Sequence, residues 1–221
     1  MATLLNGNAV RDRLVAELGQ RVAAYQAQGC PPVGLRVVLV GENPASIRYV
    51  AGKERIGRKM GLDAETIRCP ASISQDDLID LVQALNANPA VHGILVQMPL
   101  PDHISSGAVI AAIDPRKDVD GLHALNQGLL LLGQTGLHPC TPKGILRLLA
   151  AYGIDIGGRN VTVVGRSSLV GKPLAALLLM KNATVTICHS RTAHLPEMTL
   201  PADMVVMAAG QPGLLQGHMV K

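Results

Sequence analysis

The stretch Leu35-Arg-Val-Val-Leu-Val-Gly-Glu-Asn-Pro-Ala-Ser-Ile-Arg-Tyr-Val-Ala-Gly-Lys53 predicts a strand followed directly by a helix. Residues 35–40 form a short, Val-rich apolar run, as expected of a strand buried on both faces of a sheet. Asn43 can cap the helix, and Pro44 suits its first position, where no amide hydrogen is needed. A buried strand that leads into a helix is the repeating unit of a parallel α/β sheet.

Two side chains of this predicted helix suggest chemistry. Tyr49 and Lys53 stand four residues apart, so they share one helix face. A ring that stacks on a flat ligand, beside an amine that moves protons, suits acid–base work on a planar heterocycle. A surface lysine beside a half-buried tyrosine would look the same, and the pair alone does not separate the two interpretations.

Strands and helices continue to alternate along the first half of the chain, which predicts parallel βαβ units. Ligands of such sheets collect beyond the carboxyl ends of the strands. Gln97 follows one of these ends, and we therefore expect it to approach Lys53. The predicted elements are a helix over 10–22 closing near Gly29, the Tyr49/Lys53 helix ending near Gly61, a strand at 63–68, a helix from Ser74 to Asn86 with Asp77 completing a capping box, and a strand at 91–97.

A second set of βα units follows a cluster of turn residues at 133–142, where we place the domain boundary. Thr141 as cap and Pro142 in the first turn predict a helix that stops near Gly153. The further predicted elements are strands at 160–164, 183–188 and 203–208 and a helix over about 171–181.

The loop from Gly165 to Gly171 joins a predicted strand to a predicted helix, and backbone N–H groups at such a helix start can receive a pyrophosphate. The spacing matches neither G-x-G-x-x-G nor a P-loop, because Pro173 occupies the P-loop Ser/Thr position. Nucleotide binding and a purely structural turn remain equal alternatives from this spacing. The next strand ends in His189-Ser-Arg-Thr192 without a carboxylate, and Arg166 lies in the loop, so NADP is preferred to NAD.

Lys117-Asp-Val-Asp-Gly121 forms a turn after Pro115. A carboxylate here can accept two hydrogen bonds from the amidine edge of a pterin-like ring. The alternative is a solvated turn in which an aspartate caps its own backbone.

Composition excludes several classes of protein. The 221 residues suffice for one large domain or two ordinary ones, and 48% hydrophobic with 16% charged residues is a globular composition. Three Tyr, no Phe and no Trp argue against an aromatic platform for nucleic acid. A net charge of +4, spread along the chain, favours anionic small molecules. The four cysteines and seven histidines show no metal-ligand spacing. We expect no metal, no signal peptide, no membrane partner and a cytoplasmic setting.

The chain resembles the bifunctional methylenetetrahydrofolate dehydrogenase/cyclohydrolase family in blocks that occur in family order along nearly its whole length. The blocks are Val40-Gly-Glu-Asn-Pro-Ala-Ser46, Tyr49-x-x-x-Lys53, Gly93-Ile-Leu-Val-Gln-Met-Pro-Leu-Pro101, Pro115-x-Lys-Asp-Val-Asp-Gly121, Pro139-Cys-Thr-Pro-x-Gly144, Val164-Gly-Arg-Ser-x-x-Val-Gly-x-Pro173 and Ala202-Asp-Met-Val-Val-Met-Ala-Ala-Gly-Gln-Pro212.

The resemblance implies roles for individual residues. Lys53 would be the cyclohydrolase acid–base group, and Gln97 would orient and tune it. Tyr49 would stack on the folate, and Asp120 would hold its pterin. NADP would be bound by Gly165, Arg166, Ser167 and Ser190. The implied reactions oxidise 5,10-methylenetetrahydrofolate with NADP and hydrolyse the methenyl product to 10-formyltetrahydrofolate, within one-carbon metabolism and purine biosynthesis. A homodimer formed through the nucleotide domain is also implied.

The implied fold is α/β with two domains. Residues 1–138 form a three-layer folate-binding catalytic domain, and residues 139–221 form a Rossmann-like NADP-binding domain. Relative to the family, the chain stops at Met219-Val220-Lys221, within the second domain. We expect either a fragment or an incomplete sheet with an exposed edge. The alternatives are a non-catalytic folate- and nucleotide-binding module, and a different NADP-dependent dehydrogenase of the shikimate type.

Overall fold

The computed structural model describes residues 2–221, which form two compact units, one ending at His123 and the other spanning Ala124–Lys221. The elements of the first unit are α1 (Gly7–Ala27), β1 (Gly34–Val40), α2 (Pro44–Lys59), β2 (Asp63–Cys69), α3 (Gln75–Ala87), β3 (Val91–Val96) and α4 (Ser106–Ala112). Those of the second unit are α5 (Ala124–Leu131), α6 (Cys140–Ala151), β4 (Asn160–Val164), α7 (Gly171–Leu179), β5 (Thr184–Cys188), α8 (Leu195–Thr199), β6 (Met204–Met207) and a short 3-10 turn at Gly217–Met219.

The first unit is built on a parallel sheet of strand order β2-β1-β3. Alternate residues of β1 point to opposite faces of this sheet. Val38 and Val40 pack in a core with Leu78 and Val82 of α3. Val37 and Leu39 pack on the other face with Val50 of α2. Helices therefore cover both faces, and the predicted three-layer α/β arrangement is confirmed.

The helix starts of this unit follow the side-chain caps read from the sequence. Asn43 Oδ1 accepts hydrogen bonds from the amides of Ala45 (2.9 Å) and Ser46 (3.2 Å), with Pro44 as the first helical residue. Ser74 Oγ accepts from the Asp77 amide over 3.0 Å at the start of α3. These caps satisfy first-turn amides that have no partner within the helix. They place the start of α2 directly after β1.

A strap, here residues 114–123, runs alongside β3 and was not predicted from the sequence. The Ile94 amide donates to the Lys117 carbonyl over 2.7 Å, and the Val119 amide donates to the Ile94 carbonyl over 3.4 Å. Gly93 makes this approach possible, since a Cβ at that position would lie 2.6 Å from Val119 Cγ1. Ile94 and Asp118 pair in the parallel sense, so at this one position the strap lies next to β3 and runs in the same direction.

The second unit contains a parallel sheet of order β5-β4-β6, with α7 buried through Leu174, Leu177 and Leu178. This is the predicted Rossmann-like arrangement. The unit begins at Ala124 because α5 packs against α7, so the compact division lies ahead of the predicted boundary at 138/139.

The prediction that Thr141 caps α6 is wrong. The Lys143 amide bonds to the Pro139 carbonyl over 3.1 Å, so the helix begins at Cys140 and Thr141 lies inside its first turn. The short helices α4, α5 and α8 were also missed, because five to eight residues carry too little periodicity to identify a helix.

Residues 2–221 contain neither a candidate membrane-spanning helix nor a candidate metal-binding cluster. No helix there has the length and apolar character needed to cross a membrane. No group of three or more His, Cys, Asp and Glu side chains in that range is arranged to hold a metal ion.

Candidate active site

Lys53 and Gln97 meet at the carboxyl edge of the first sheet. Lys53 Nζ donates a hydrogen bond to Gln97 Oε1 over 3.2 Å, and both side chains are half-buried. Gln97 directly follows β3, and Lys53 lies on the helix that follows β1. Because β1 and β3 are parallel neighbours, their ends share one edge of the sheet. The expected approach of the two side chains is therefore confirmed.

Gln97 is held so that its amide oxygen faces the lysine. Its backbone amide donates to the Val38 carbonyl over 2.8 Å, and its Nε2 donates to the Met98 carbonyl over 2.7 Å. The bond from Nε2 to the Met98 carbonyl fixes the orientation of the side-chain amide, so that its oxygen Oε1 accepts from Lys53. One N–H of the amine is thereby directed at Gln97, which orients the remaining valences of Nζ.

The Tyr49 ring lies beside the same amine. Nζ of Lys53 is 4.7 Å from the ring centroid, a cation–π distance worth about 0.5–1 kcal/mol at an exposed site. Tyr49 is 60% exposed, so most of its ring is available to a ligand. The i, i+4 spacing thus brings the ring and the amine together, as predicted for a shared helix face.

The strap carries Asp120 in a turn that begins beside β3. Asp118 pairs with Ile94, and the Gly121 amide donates to the Asp118 carbonyl over 3.1 Å, so residues 118–121 form a turn with Asp120 inside it. Asp120 is half-buried. Asp118 is 1% exposed, and its Oδ2 accepts from the His123 amide over 2.8 Å. Of the two interpretations of this motif, a carboxylate that bonds to its own backbone describes Asp118, and ligand binding by Asp120 stays a prediction.

The turn after β4 in the second unit is shaped by two glycines. Gly165 has φ +136°, and a Cβ there would lie 2.3 Å from the Ala208 carbonyl oxygen. At Gly171 a Cβ would lie 2.1 Å from the Gly165 oxygen. Ser167 Oγ accepts from the amides of Val170 (3.1 Å) and Gly171 (3.4 Å), which fixes the loop at the start of α7. The result is a crevice in which neither glycine position carries a side chain, as the close approach of a pyrophosphate to the backbone requires.

A cavity of about 570 Å³ opens at this crevice. It is lined by Val164, Gly165, Arg166, Ser167, His189, Ser190, Thr192, Leu195, Ala208, Ala209, Gln211 and Leu214. None of these described lining residues is acidic, so the cavity suits a ligand that carries phosphates. All four residues predicted to bind the cofactor, Gly165, Arg166, Ser167 and Ser190, line it.

The loop after β5 closes on itself. The His189 amide donates to Thr192 Oγ1 and the Thr192 amide donates to the His189 carbonyl, both over 2.8 Å. The Arg191 amide donates to His189 Nδ1 over 3.1 Å. These bonds fix the turn from which Ser190 lines the cavity. Just before this turn, burial raises the pKa of the Cys188 thiol, which keeps it protonated at neutral pH.

Sequence reasoning missed Gln211 and Leu214 as lining residues of the cavity. Both lie just beyond the carboxyl end of β6, which neighbours β4. The rule that ligands collect beyond these ends would have identified the segment, because the strand itself was predicted.

Two domain models of one protein family match the chain. Residues 5–120 match the family model "Tetrahydrofolate dehydrogenase/cyclohydrolase, catalytic domain", and residues 139–221 match the NAD(P)-binding domain of the same family. The bifunctional protein FolD of Polaromonas naphthalenivorans is 51% identical over 220 residues, covering 100% of this chain and 78% of its own.

Two solved structures show the same fold. The bifunctional FolD enzyme of Campylobacter jejuni superposes with a TM-score of 0.97 at 41% identity, covering 99% of this chain and 78% of its own. The Trypanosoma brucei enzyme, solved with NADP cofactor and inhibitor, has a TM-score of 0.95 at 36% identity, covering 100% of this chain and 76% of its own.

These matches decide between the alternatives left open by the sequence. The family's catalytic-domain model covers the segments that carry Tyr49, Lys53, Gln97 and Asp120, so a shikimate-type dehydrogenase is not supported. A non-catalytic binding module is not favoured either, since the relatives that match along the whole chain are bifunctional enzymes. The chain belongs to the tetrahydrofolate dehydrogenase/cyclohydrolase family, and its function lies in folate one-carbon metabolism.

Proposed function

We propose that this chain oxidises 5,10-methylenetetrahydrofolate with NADP and hydrolyses the methenyl product to 10-formyltetrahydrofolate, with Lys53 as the acid–base group of the hydrolysis. The observation that carries the proposal is the Lys53–Gln97 hydrogen bond beside the exposed Tyr49 ring. An amine, an amide oxygen and a flat ring at one sheet edge are the groups that proton transfer on a planar heterocycle requires.

In the proposed hydrolysis, water adds to the methenyl carbon, and the neutral Lys53 amine takes the proton that the water loses. The bond from that carbon to N5 then breaks, the ammonium gives its proton to N5, and the proton left on the added hydroxyl passes to solvent as the formyl C=O forms. Gln97 accepts one N–H of the amine, which keeps Nζ aimed at the ligand through both steps. Fixing the amine in this way lowers the entropic cost of reaching each transition state.

Tyr49 and Asp120 hold the folate in the proposal. The Tyr49 ring stacks on the folate ring system, for which its 60% exposure leaves room. Asp120 accepts two hydrogen bonds from the amidine edge of the pterin, the planar pairing that a carboxylate suits. The pairing of Asp118 with Ile94 supports this assignment, because it puts the turn that carries Asp120 next to β3.

The second unit binds NADP in the proposal. When bound, NADP accepts the hydride that the methylene carbon gives up. Gly165 and Ser167 shape the pyrophosphate crevice, while Arg166 and Ser190 bind the 2′-phosphate. The absence of acidic side chains among the described residues that line the cavity supports a 2′-phosphate over a free ribose hydroxyl. The solved relative from Trypanosoma brucei contains NADP.

The decisive experiment is Lys53→Met, compared with Lys59→Met at the exposed end of the same helix. Lys53→Met lowers methenyl hydrolysis by at least about 100-fold, the scale of a lost acid–base group, and leaves NADP affinity unchanged. Lys59→Met leaves both unchanged. Hydrolysis is followed by absorbance and NADP binding by calorimetry. Undiminished hydrolysis in Lys53→Met would refute the proposed role.

The wider setting is part of the same proposal. Folate binding is assigned to residues 1–138 and NADP binding to residues 139–221, in a cytoplasmic homodimer that supplies formyl groups for purine biosynthesis. Dimerisation through the nucleotide unit is supported by β5, an edge strand whose Ile187 is 41% exposed. Four free cysteines fit a reducing compartment. Sedimentation of the purified chain tests the dimer.

A further inference from the structure

A lysine of the strap is bonded to the end of a neighbouring helix. Lys117 Nζ donates to the carbonyl oxygens of Asn86 (2.7 Å) and Asn88 (2.9 Å) and lies 3.5 Å from that of Leu85. These carbonyls belong to the last turn of α3 and the residue that ends it, where no further helical amide follows to bond them. A cation at this end of a helix is also favoured by the helix dipole. The ammonium thus ties the strap to α3.

The backbone of the same residue is bonded to the sheet. The Lys117 carbonyl accepts from the Ile94 amide over 2.7 Å, the shortest of the backbone bonds that join the strap to β3. One residue therefore connects three elements: the strap, α3 and β3. The Lys117 side chain limits where along β3 the strap can lie, because the carbonyls that it bonds belong to α3 and do not move with the strap.

The position of the strap along β3 determines which side chains reach the folate site. Val119 packs in the core formed with Val37, Leu39 and Val50. Asp118 bridges Ile94, and its carbonyl accepts from the Gly121 amide over 3.1 Å, so the turn that carries Asp120 starts at the bridged residue. A shift of the strap along β3 would move this turn, and Asp120 with it. The position of the strap along β3 therefore affects folate binding as well as packing.

We infer that Lys117 is a positioning residue for folate: by holding the strap in register on β3, it keeps Asp120 where the pterin edge can reach its carboxylate. The inference rests on the proposed role of Asp120. Lys117 itself contacts backbone carbonyls and acts on the ligand only through Asp120.

The test compares Lys117→Met, Lys117→Arg and the control Arg116→Met. Arg116 is the neighbouring cation of the strap, is 86% exposed and bonds to Asp114, so the control removes the same charge without touching α3. Lys117→Met weakens folate binding about tenfold, as expected from a small displacement of a ligand group, while NADP affinity stays within about twofold. Lys117→Arg, which keeps donors for the same carbonyls, restores most of the folate affinity. Arg116→Met binds both ligands normally. Calorimetry with each ligand gives these values.

A double-variant cycle with Asp120→Asn separates positioning from general stability. If Lys117 acts through Asp120, the double variant binds folate no more weakly than Asp120→Asn alone, because the second change has nothing left to misplace. Independent, additive losses would overturn the inference, as would normal folate affinity in a folded Lys117→Met. Lys117→Gln, which keeps two N–H donors on a shorter stem, replaces the methionine variant should the latter not fold.

Failure of the proposed function gives a different result. If Asp120→Asn binds folate normally, the assignment of Asp120 itself is wrong, and positioning by Lys117 is overturned with it. If Asp120→Asn loses affinity and Lys117→Met does not, only the role of Lys117 is overturned.

Discussion

Lys53 and Gln97 lie on different elements, α2 and the end of β3, and their side chains meet over 3.2 Å. They are 44 residues apart in the chain and are brought together because their preceding strands are parallel neighbours. The bond leaves the lysine amine beside the exposed ring of Tyr49. The Gln97 amide orients this amine, and Nε2 of the same amide bonds to the Met98 carbonyl.

Gln97→Leu removes the acceptor while keeping the side-chain volume nearly the same. We expect methenyl hydrolysis to fall by about 10- to 100-fold, since an amine that is present but unoriented loses part of its acid–base contribution. Gln83→Leu, an exposed glutamine of α3, is the control. Steady-state absorbance assays of both variants measure the effect. Equal rates in Gln97→Leu and Gln83→Leu would show that the hydrogen bond has no part in hydrolysis.

Arg166→Ala tests recognition of the 2′-phosphate. A charge-assisted bond to phosphate is worth about 1.5–3 kcal/mol, so NADP affinity is expected to fall about 10- to 100-fold while NAD affinity changes less than about twofold. Arg159→Ala, which removes an equal charge at the opposite end of β4, leaves the preference for NADP over NAD unchanged. Titration with both dinucleotides gives the ratio. A parallel loss of NAD and NADP affinity would assign Arg166 to a part of the ligand that the two share.

Gly171→Ala tests the close approach at the start of α7. The new methyl group would meet the Gly165 carbonyl oxygen at 2.1 Å, so the free energy of unfolding should fall by about 1–3 kcal/mol, with NADP affinity falling as the turn opens. Gly144→Ala, on α6 with no atom within 4 Å of the added Cβ, should raise it by about 0.5–1 kcal/mol. Urea unfolding of the two variants would show opposite signs. A neutral Gly171→Ala would mean that the crevice can widen freely.

We expect the free energy of unfolding to depend on pH in the acid range through Asp114. Its hydrogen bond from the Arg116 side chain, helped by the Arg116 amide, lowers the pKa of the Asp114 carboxyl to about 2. The carboxylate therefore stabilises the fold above the ordinary pKa near 3.8, and this contribution is lost as the pH falls from about 4 towards 2. Because Arg116 is 86% exposed, added salt weakens the effect.

The measurement is urea unfolding of the wild type and Asp114→Asn between pH 5 and about pH 2. The wild type should lose more stability than Asp114→Asn over this range, and Asp102→Asn, at an exposed position of the same unit, should behave like the wild type. Parallel curves for wild type and Asp114→Asn would contradict the prediction.

Local signals accounted for most of the secondary structure. The Val-rich run before Val40, the Asn43 cap with Pro44, and the Ser74 cap all act within a few residues, so each is legible in the sequence. The strand at Asn160–Val164 was predicted with its observed limits. The failures came where short-range signals were weak or competed, as at the start of α6, where a proline pair at 139 and 142 allowed two possible starts.

The strap shows why part of the site was not predictable. Its residues form no long strand, and its position depends on bonds from Lys117 to α3 and from Ile94 to the strap, both made across gaps of more than twenty residues. No periodicity records such pairings. The motif around Asp120 is recognisable in the sequence, but nothing in it shows that Asp118 pairs with Ile94 and accepts from the His123 amide.

By itself, the amino-acid sequence determined the order of strands and helices, the helix caps, the shared face of Tyr49 and Lys53, and the family resemblance, because each is encoded by neighbouring residues. Only the tertiary structure decided that Gln97 Oε1 faces Lys53, that Asp118 pairs with Ile94 while Asp120 lies in the turn that follows, and that the Gly165 carbonyl packs directly against Gly171. These relationships depend on strand order and register, which arise from packing between segments that are distant in the chain.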